Sequence, residues 1–170
     1  VLNSKTTEGG MVDWHFQAEN VIDFAWFTSP AFRHEKYTGV VAGQNKVDLN
    51  VYYDPRDSVL WSKAGVYAAR ALEFYSDWLG AYPYQQMSVV SAPLSAGGGM
   101  EYPMVAQIGY MEDSASLDLV IAHEIGHTWL YGILANNERA HPWMDEGLNS
   151  FIEAQYTAKY QPAYREAYLP

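Results

Sequence analysis

Two histidines and a glutamate have the spacing of a metal-binding helix. His123 and His127 are four positions apart, so on an α-helix they project from one face, one turn apart. Two neutral imidazoles so placed can fill two positions of a tetrahedral zinc site, with Glu124 beside the open position as a general base. A chance match in an ordinary amphipathic helix is the alternative. Apolar flanks would bury this helix, however, and buried histidines and carboxylates need a partner, so the pattern favours one zinc ion.

A third ligand is available nineteen residues after His127. Glu146 begins another helical pattern, and a helix, a return loop and a second helix can bring its carboxylate onto the histidine face. Glu153, seven residues later, lies on nearly the same face and is a candidate to orient a ligand histidine, the alternative being an exposed glutamate without a role. Asn149, one turn from Glu146, is a further candidate. The chain has no cysteine, so the ligands are histidine and glutamate rather than thiolate.

Composition and charge narrow the class of protein. The chain has 170 residues, 49% of them apolar and 15% aromatic, which is typical of a globular protein with a substantial core. The formal charge of −10 argues against nucleic acid or an anionic membrane as a partner and suits a cationic ligand such as a peptide amine. No apolar run reaches the length of about eighteen residues that a membrane span needs.

The hydrophobic patterns predict an α+β fold, with a mixed sheet and with helices that carry the ligands. We expect a loop at residues 1–10 and strand-like segments over Met11–Phe27, including Val21–Phe27. The remaining predicted strands are Lys36–Ala42, Lys46–Tyr53, Met87–Ser91 and the extended segment Met100–Tyr110. The predicted helices are Val59–Leu79 with Gly80 as its terminator, Ser116–Leu134 and Asp145–Tyr160.

A glycine-rich segment, Gly97–Pro103, precedes the metal helix. Taken alone it is a flexible loop that enters an edge strand. Together with the metal motif, however, its Gly98-Gly99-Met100-Glu101 run resembles the Gly-x-Met-Glu-Asn signature of the aminopeptidase N family of gluzincin zinc metallopeptidases. That family's other signatures are HExxH and, after eighteen intervening residues, a glutamate in an Asn-Glu-Gly context, and Glu146-Gly147 matches the latter. This sequence departs from the family's signatures at Tyr102 and Asp145, two positions where the family commonly has asparagine.

The resemblance covers nearly the whole chain and implies a domain organisation. Residues 1–43 would be the end of an N-terminal β-domain, and residues 44–170 a thermolysin-like catalytic core that is truncated at its C-terminus. The resemblance further implies a C-terminal helical lobe in the parent chain, with a tyrosine that stabilises the transition state and that has no counterpart in this sequence.

The resemblance also implies an activity, the release of N-terminal amino acids from peptides. Zinc held by His123, His127 and Glu146 would bind the attacking water, and Glu124 would take the proton of that water and return one to the leaving amine. Three further residues, Gly98, Gly99 and Met100, would contact the substrate. The implied role of Glu101 is to bind the free α-amino group of the peptide, which makes a peptide with a free N-terminus the expected partner.

The sequence alone leaves two other functions open. A zinc endopeptidase of the thermolysin type shares HExxH and a downstream glutamate, and a peptide with a blocked N-terminus would distinguish it. The second alternative is a zinc-binding but inactive fragment of a larger aminopeptidase, because the implied tyrosine and helical lobe are not in this sequence.

Overall fold

The N-terminal part of the chain forms a two-stranded hairpin. The computed structural model describes residues 2–95 and 97–164. Strands β1 (Leu2–Glu8) and β2 (Met11–Phe16) pair antiparallel around Gly9 and Gly10, whose positive φ angles of 58° and 80° suit a tight two-residue turn. The predicted loop over residues 1–10 is therefore wrong for Leu2–Glu8, because pairing with β2 outweighs a polar composition. Residue 1 of that prediction lies outside the described residues.

Residues 21–27 do not form a strand, which corrects the prediction for Val21–Phe27. Their apolar side chains alternate as in a strand, but Ile22, Phe24 and Trp26 are each about half exposed or more. No neighbouring strand among the described residues pairs with this segment. Alternation alone does not make a strand, because the backbone also needs a hydrogen-bonding partner.

A mixed five-stranded sheet forms the centre of the molecule. Its strands are β3 (Arg33–Ala42), β4 (Asn45–Tyr53), β5 (Gln86–Ser91), β6 (Gly99–Tyr102) and β7 (Val105–Ile108). The spatial order is β3-β4-β5-β7-β6, with β4-β5 and β5-β7 parallel and the outer two pairs antiparallel. The glycine-rich segment thus leads into an edge strand, β6, and the predicted extended segment Met100–Tyr110 is a hairpin rather than one strand.

Strand β4 carries the sequence pattern that builds the core. Val47, Leu49, Val51 and Tyr53 alternate along it and are at most 2% exposed. Helix α2 (Ala64–Leu79) packs over β3 and β4, and its Gly65 lies so close to the ring of Tyr37 that a side chain there would overlap the ring. The predicted α+β fold, a mixed sheet with helices packed on it, is confirmed.

The first predicted helix is interrupted. Instead of one helix over Val59–Leu79 there are two, α1 (Ser58–Trp61) and α2 (Ala64–Leu79). The hydroxyl of Ser62 donates a hydrogen bond to the carbonyl of Val59 at 2.8 Å and so gives the backbone an alternative to a continuing helix. As predicted, α2 ends at Gly80, whose φ of 101° is costly for residues that have a side chain.

Two helices position the predicted metal ligands. Helix α3 (Ser114–His127) begins where Asp113 accepts hydrogen bonds from the backbone N–H groups of Ala115 and Ser116, and it continues as a π-helical segment, Thr128–Ile133. Helix α4 (Leu148–Tyr160) follows a π-helical turn, Trp143–Gly147. The predicted helices Ser116–Leu134 and Asp145–Tyr160 are therefore present, but each changes its helical geometry next to a metal-binding position.

A buried polar network ties α2, α3 and α4 together behind the metal ligands. Asp118 on α3 is 0% exposed and pairs with the guanidinium of Arg70 on α2. Its carboxylate also accepts hydrogen bonds from the Tyr156 hydroxyl at 2.7 Å and from the Gln161 amide at 2.6 Å. Because every partner comes from a different part of the helical layer, the network sets how α4 lies against α3.

The predicted domain division at residue 43 falls in the turn between two strands, β3 and β4, that pair with each other. The division into an N-terminal β-domain (1–43) and a catalytic core (44–170) remains a prediction, and residues 165–170 of that core lie outside the described part of the chain. No helix in the described part of the chain combines the length and the apolar character that a membrane span requires.

Candidate metal centre

The predicted site residues line one open cavity of about 740 Å³. Its walls are the glycine-rich segment leading into β6, the middle of α3, the loop at residues 138–142 and the beginning of α4. All eight residues that the sequence predicts as catalytic, metal-binding or substrate-contacting lie along these walls: Gly98, Gly99, Met100, Glu101, His123, Glu124, His127 and Glu146. The cavity therefore brings together the residues to which the sequence assigns the predicted chemistry.

Three ligand atoms meet at one end of the cavity. The Nε2 atoms of His123 and His127 are 3.0 Å apart, and Oε2 of Glu146 lies 3.3 Å from the first and 3.9 Å from the second. The return loop between α3 and α4 thus brings Glu146 onto the histidine face, as the sequence predicts. Glu146 remains 58% exposed, whereas His127 is almost wholly buried.

On each of the two histidines, the ring nitrogen Nδ1 lies against a carboxylate. Oε2 of Glu153 lies 2.9 Å from Nδ1 of His123, and Oδ1 of Asp145 lies 2.6 Å from Nδ1 of His127. Such contacts favour the tautomer in which Nδ1 carries the hydrogen and Nε2 presents a lone pair to the cavity. The sequence predicted this kind of contact for Glu153 but not for Asp145.

This arrangement fits a zinc ion. If both Nδ1 atoms donate to carboxylates, two Nε2 lone pairs face each other at 3.0 Å, which is repulsive unless a cation or a proton lies between them. Ligand atoms at about 2.0–2.1 Å from one tetrahedral zinc ion lie about 3.3 Å from each other, and the separations found here, 3.0, 3.3 and 3.9 Å, lie on both sides of that value. Two imidazoles and a carboxylate are also a donor set of catalytic zinc sites.

Electrostatics support the same conclusion. Burial lowers the pKa of His123, but the hydrogen bond and charge of Glu153 outweigh that effect and raise it to about 9. Burial likewise lowers the pKa of His127, and the contact with Asp145 raises it overall. Without a metal the histidine pair therefore attracts a proton, and a zinc ion would replace it as the compensating positive charge.

Glu124 lies beside the ligand atoms and is 5% exposed. Its Oε2 is buried and has no hydrogen-bond partner among the described residues. Burial raises its pKa to about 8, against the lowering effect of His123 and His127. A dication held by the neighbouring ligands would lower the pKa again, which leaves Glu124 a carboxylate that can accept a proton.

The glycine-rich segment approaches this base very closely. A Cβ on Gly99 would lie 2.4 Å from Oε1 of Glu124, so a larger residue there would force the side chain of Glu124 to move. Gly98 has a φ of 72°, and its carbonyl accepts a hydrogen bond from the N–H of Gly109 at 2.8 Å, which fixes the loop over the cavity. The glycines are thus required by close packing and by backbone conformation rather than by flexibility.

Glu101 and Asn149 complete the predicted set. Glu101 on β6 is 9% exposed, and burial raises its pKa. It belongs with Glu124 and His127 to a group of potential ligand atoms that lie within 4.8 Å of one another. Nδ2 of Asn149 donates to the backbone carbonyl of His123 at 2.9 Å, so Asn149 contacts the helix backbone rather than a histidine ring. The functional roles of these residues remain predictions.

Sequence reasoning missed two acidic residues of the site, Asp145 and Glu138. A signal for Asp145 existed, because each ligand histidine needs an acceptor for its second nitrogen and only Glu153 had been assigned to that role. Glu138 lies in the loop between the two ligand helices, and nothing in its spacing indicates that it lines the cavity.

A mixed sheet whose HExxH helix meets a returning carboxylate is the arrangement found in zinc metallopeptidases. The family model described as the peptidase family M1 domain matches residues 66–169, more than half of the chain. The chain therefore belongs to peptidase family M1, which confirms the resemblance found in the sequence and identifies zinc as the metal of the site.

Individual relatives are more distant and much longer. The chain is 31% identical over 87 residues to leukotriene A-4 hydrolase of Xenopus laevis (49% of this chain, 14% of the relative). It is 28% identical over 126 residues to aminopeptidase M1-C of Oryza sativa subsp. japonica (67% and 14%). It is 34% identical over 92 residues to leucine aminopeptidase 2 of Sclerotinia sclerotiorum (50% and 15%). The chain thus spans only 14–15% of the length of these relatives.

Solved structures share the fold. An M1 zinc metallopeptidase from Deinococcus radiodurans superimposes with a TM-score of 0.70 at 18% identity, covering 94% of this chain and 36% of that one. A variant of that enzyme bound to a Tyr-Ser-Ala substrate gives a TM-score of 0.64 at 17% identity, with the same coverage. Aminopeptidase A of Legionella pneumophila in complex with aspartic acid gives 0.62 at 14% identity (75% and 16%).

Proposed function

We propose that the protein is a zinc-dependent aminopeptidase that releases N-terminal amino acids from peptides. The observation that carries this proposal is the unpaired, buried carboxylate of Glu124, which shares one cavity with the ligand set and with Glu101. A base, a metal site and a carboxylate for an ammonium group are the three parts that such a reaction needs.

In this proposal His123, His127 and Glu146 hold zinc, which supplies Lewis-acid polarisation of the attacking water and of the peptide carbonyl. Glu124 accepts a proton from the water as the water oxygen bonds to the carbonyl carbon. The same carboxyl group then gives a proton to the amide nitrogen as the carbon–nitrogen bond breaks. Glu153 and Asp145 keep the two histidine rings in the orientation that presents Nε2 to the cavity.

Glu101 makes the proposed enzyme an exopeptidase. Its carboxylate lies close to Glu124 and His127, so an ammonium group bound there places the first peptide bond of the substrate near the base. Among the described residues, the edge strand β6 has a sheet partner on one side only, and its other side is suited to pair with the extended backbone of a peptide. The names of two relatives, both aminopeptidases, and the Tyr-Ser-Ala ligand of one structural neighbour support a peptide substrate.

The test is hydrolysis of an aminoacyl reporter amide by the zinc-loaded protein, with the N-acetylated amide as the blocked control. Glu124→Gln is compared with Glu112→Gln, a change at an exposed residue that does not line the cavity. We expect the free amide alone to be cut. We also expect Glu124→Gln to retain zinc but to lose roughly 100-fold or more of the activity, and Glu112→Gln to keep it.

Two outcomes would contradict the proposal. Cutting of a peptide that is blocked at its N-terminus would favour the endopeptidase alternative. Zinc binding at one equivalent without cutting of either substrate would show a metal-binding protein that does not catalyse this reaction by itself.

A further inference from the structure

Two buried polar atoms meet at Gly126, the glycine inside the HExxH sequence. One is the hydroxyl oxygen of Tyr75 on α2, and the other is Oδ1 of Asn149 on α4. Both side chains are fully buried, and neither atom has a hydrogen-bond partner in residues 2–95 and 97–164. A Cβ placed on Gly126 would lie 2.6 Å from the first atom and 2.1 Å from the second, so the two converge on one spot. Buried polar atoms in folded proteins are nearly always paired, because leaving one unpaired is costly.

The two atoms are complementary as donor and acceptor. Nδ2 of Asn149 donates to the carbonyl of His123 at 2.9 Å, so the amide cannot turn round without placing its own oxygen against the carbonyl oxygen. Oδ1 therefore faces Gly126 and needs a donor. The phenol of Tyr75 can supply one, because burial and then the charge of Glu153 raise its pKa and keep it protonated.

Aromatic contacts fix the direction of the Tyr75 hydroxyl. The ring stacks on Trp129, with centroids 5.7 Å apart and planes at 18°, and it meets the ring of Phe74 edge to face at 5.6 Å. Because these contacts prevent the ring from swinging away, the hydroxyl stays at the junction of α2, α3 and α4. It therefore lies where a single hydrogen bond can connect the helix that carries no metal ligand with the two that do.

Asn149 links this junction to the metal ligands. It holds the backbone of His123, and it lies one turn before Glu153, whose carboxylate is 2.9 Å from Nδ1 of the same histidine. It also lies three residues after the ligand Glu146. A change in the orientation of Asn149 would therefore alter how the whole beginning of α4 meets the histidines.

We propose that Tyr75 is a positioning residue of the metal site, whose hydroxyl donates to Oδ1 of Asn149 directly or through one water molecule. The hydrogen bond fixes the amide that holds His123, and so sets the distances from α4 to both histidines. The kinetic part of this inference rests on the proposed aminopeptidase function, whereas its metal-binding part does not. Tyr75 is not among the described residues that line the cavity, so it acts through Asn149 and not on the substrate.

The experiment compares Tyr75→Phe, which removes only the hydroxyl, with Tyr82→Phe. Tyr82 is a matched control, because it is fully buried, donates to the carbonyl of Gln86 at 3.0 Å and does not contribute to the described cavity wall. Both variants should unfold at a lower urea concentration. We expect only Tyr75→Phe to lose zinc affinity, by roughly 3- to 10-fold in competition with a chromogenic chelator. Hydrolysis of the aminoacyl reporter amide should show a similar loss in kcat with an unchanged KM.

A second variant tests whether Tyr75 acts through Asn149. Asn149→Ala removes the acceptor, so Tyr75→Phe should cause no further loss of zinc affinity when it is added to that variant. Fully additive losses would show that the two residues act independently and would overturn the inference. An unchanged zinc affinity in Tyr75→Phe would also overturn it, whatever the change in stability, because the hydroxyl would then have only a structural role or none.

The metal-binding data separate this inference from the proposed function. If the wild-type protein cuts the amide, and Tyr75→Phe matches it in kcat and in zinc affinity, the inference is wrong and the function stands. If the wild-type protein does not cut the amide but its zinc affinity depends on Tyr75 through Asn149, the inference holds and the catalytic proposal fails.

Discussion

The side chain of Asn149 lies directly against the α-carbon of Gly126, and this contact joins the two helices that carry the metal ligands. A Cβ on Gly126 would fall 2.1 Å from Oδ1 of Asn149. The same amide is fully buried and donates through Nδ2 to the carbonyl of His123. The glycine inside the HExxH sequence is thus the residue that lets α4 reach the backbone of α3 beside Glu124.

Gly126→Ala should destabilise the protein. The new methyl group would overlap Asn149 and would lie 2.6 Å from the ring of Tyr75, neither of which can move away because both are fully buried. We expect a loss of about 1–3 kcal/mol in the free energy of unfolding, measured by urea denaturation. The matched control is Gly147→Ala, where a Cβ meets nothing within 4 Å and φ is −69°. Equal stability of the two variants would contradict the assigned role of Gly126.

Removing the charge behind either histidine should weaken zinc binding while leaving all three ligands in place. Glu153→Gln and Asp145→Asn keep an acceptor oxygen near Nδ1 of His123 and His127 but lose the negative charge that raises the basicity of each ring. We expect a decrease of roughly 10- to 100-fold in zinc affinity for each. Competition with a chromogenic chelator measures it, with Glu112→Gln as the control. An unchanged affinity in both variants would show that these carboxylates do not support the ligands.

The Arg70–Asp118 pair should matter more for stability than an exposed pair of the same type. Arg70→Met leaves the fully buried carboxylate of Asp118 without its cation, and we expect the free energy of unfolding to fall by about 3 kcal/mol or more. The control is Arg56→Met, which removes a cation that is 88% exposed beside Asp54 and should change little. If the two changes cost the same, the network does not hold α4 against α3.

The stability of the sheet should depend on pH through Glu35. The hydroxyls of Tyr53 and Tyr37 donate hydrogen bonds to its carboxylate and lower its pKa from the ordinary value of 4.5. A carboxylate whose pKa is depressed on folding stabilises the folded state above that ordinary pKa. The stabilisation disappears as the pH falls through the lower pKa of the folded state.

Urea denaturation of the wild-type protein and of Glu35→Gln from neutral to acidic pH tests this dependence. The wild-type protein should be the more stable at neutral pH, and the difference should shrink below pH 4.5. A difference that stays constant over this range would show that Glu35 does not titrate with folding.

The sequence determined those features that depend on local spacing. Residues four positions apart lie on one face of an α-helix whatever the helix packs against, so the spacing of His123 and His127 was enough to place them together. The alternation of apolar residues along β4 likewise requires one buried face. The position of Glu146 was also predictable. A third ligand so far along the chain from His127 can reach the two histidines only if the chain turns back after the first helix. The local pattern predicted the wrong structure for Leu2–Glu8, which is a strand because it has a strand to pair with. It was also wrong for Val21–Phe27, which is not a strand because it has no such partner among the described residues.

Tertiary structure alone decided the relationships between distant segments. The approach of Asn149 to Gly126, the contact of Asp145 with His127 and the placement of Glu138 beside Glu101 all depend on the path of the chain between α3 and α4. That path is set by two π-helical turns and by the buried Asp118 network, which have no periodic signal in the sequence. The sequence therefore indicated the metal and the base, and the tertiary structure showed which carboxylates surround them, because long-range packing rather than local spacing brings those side chains together.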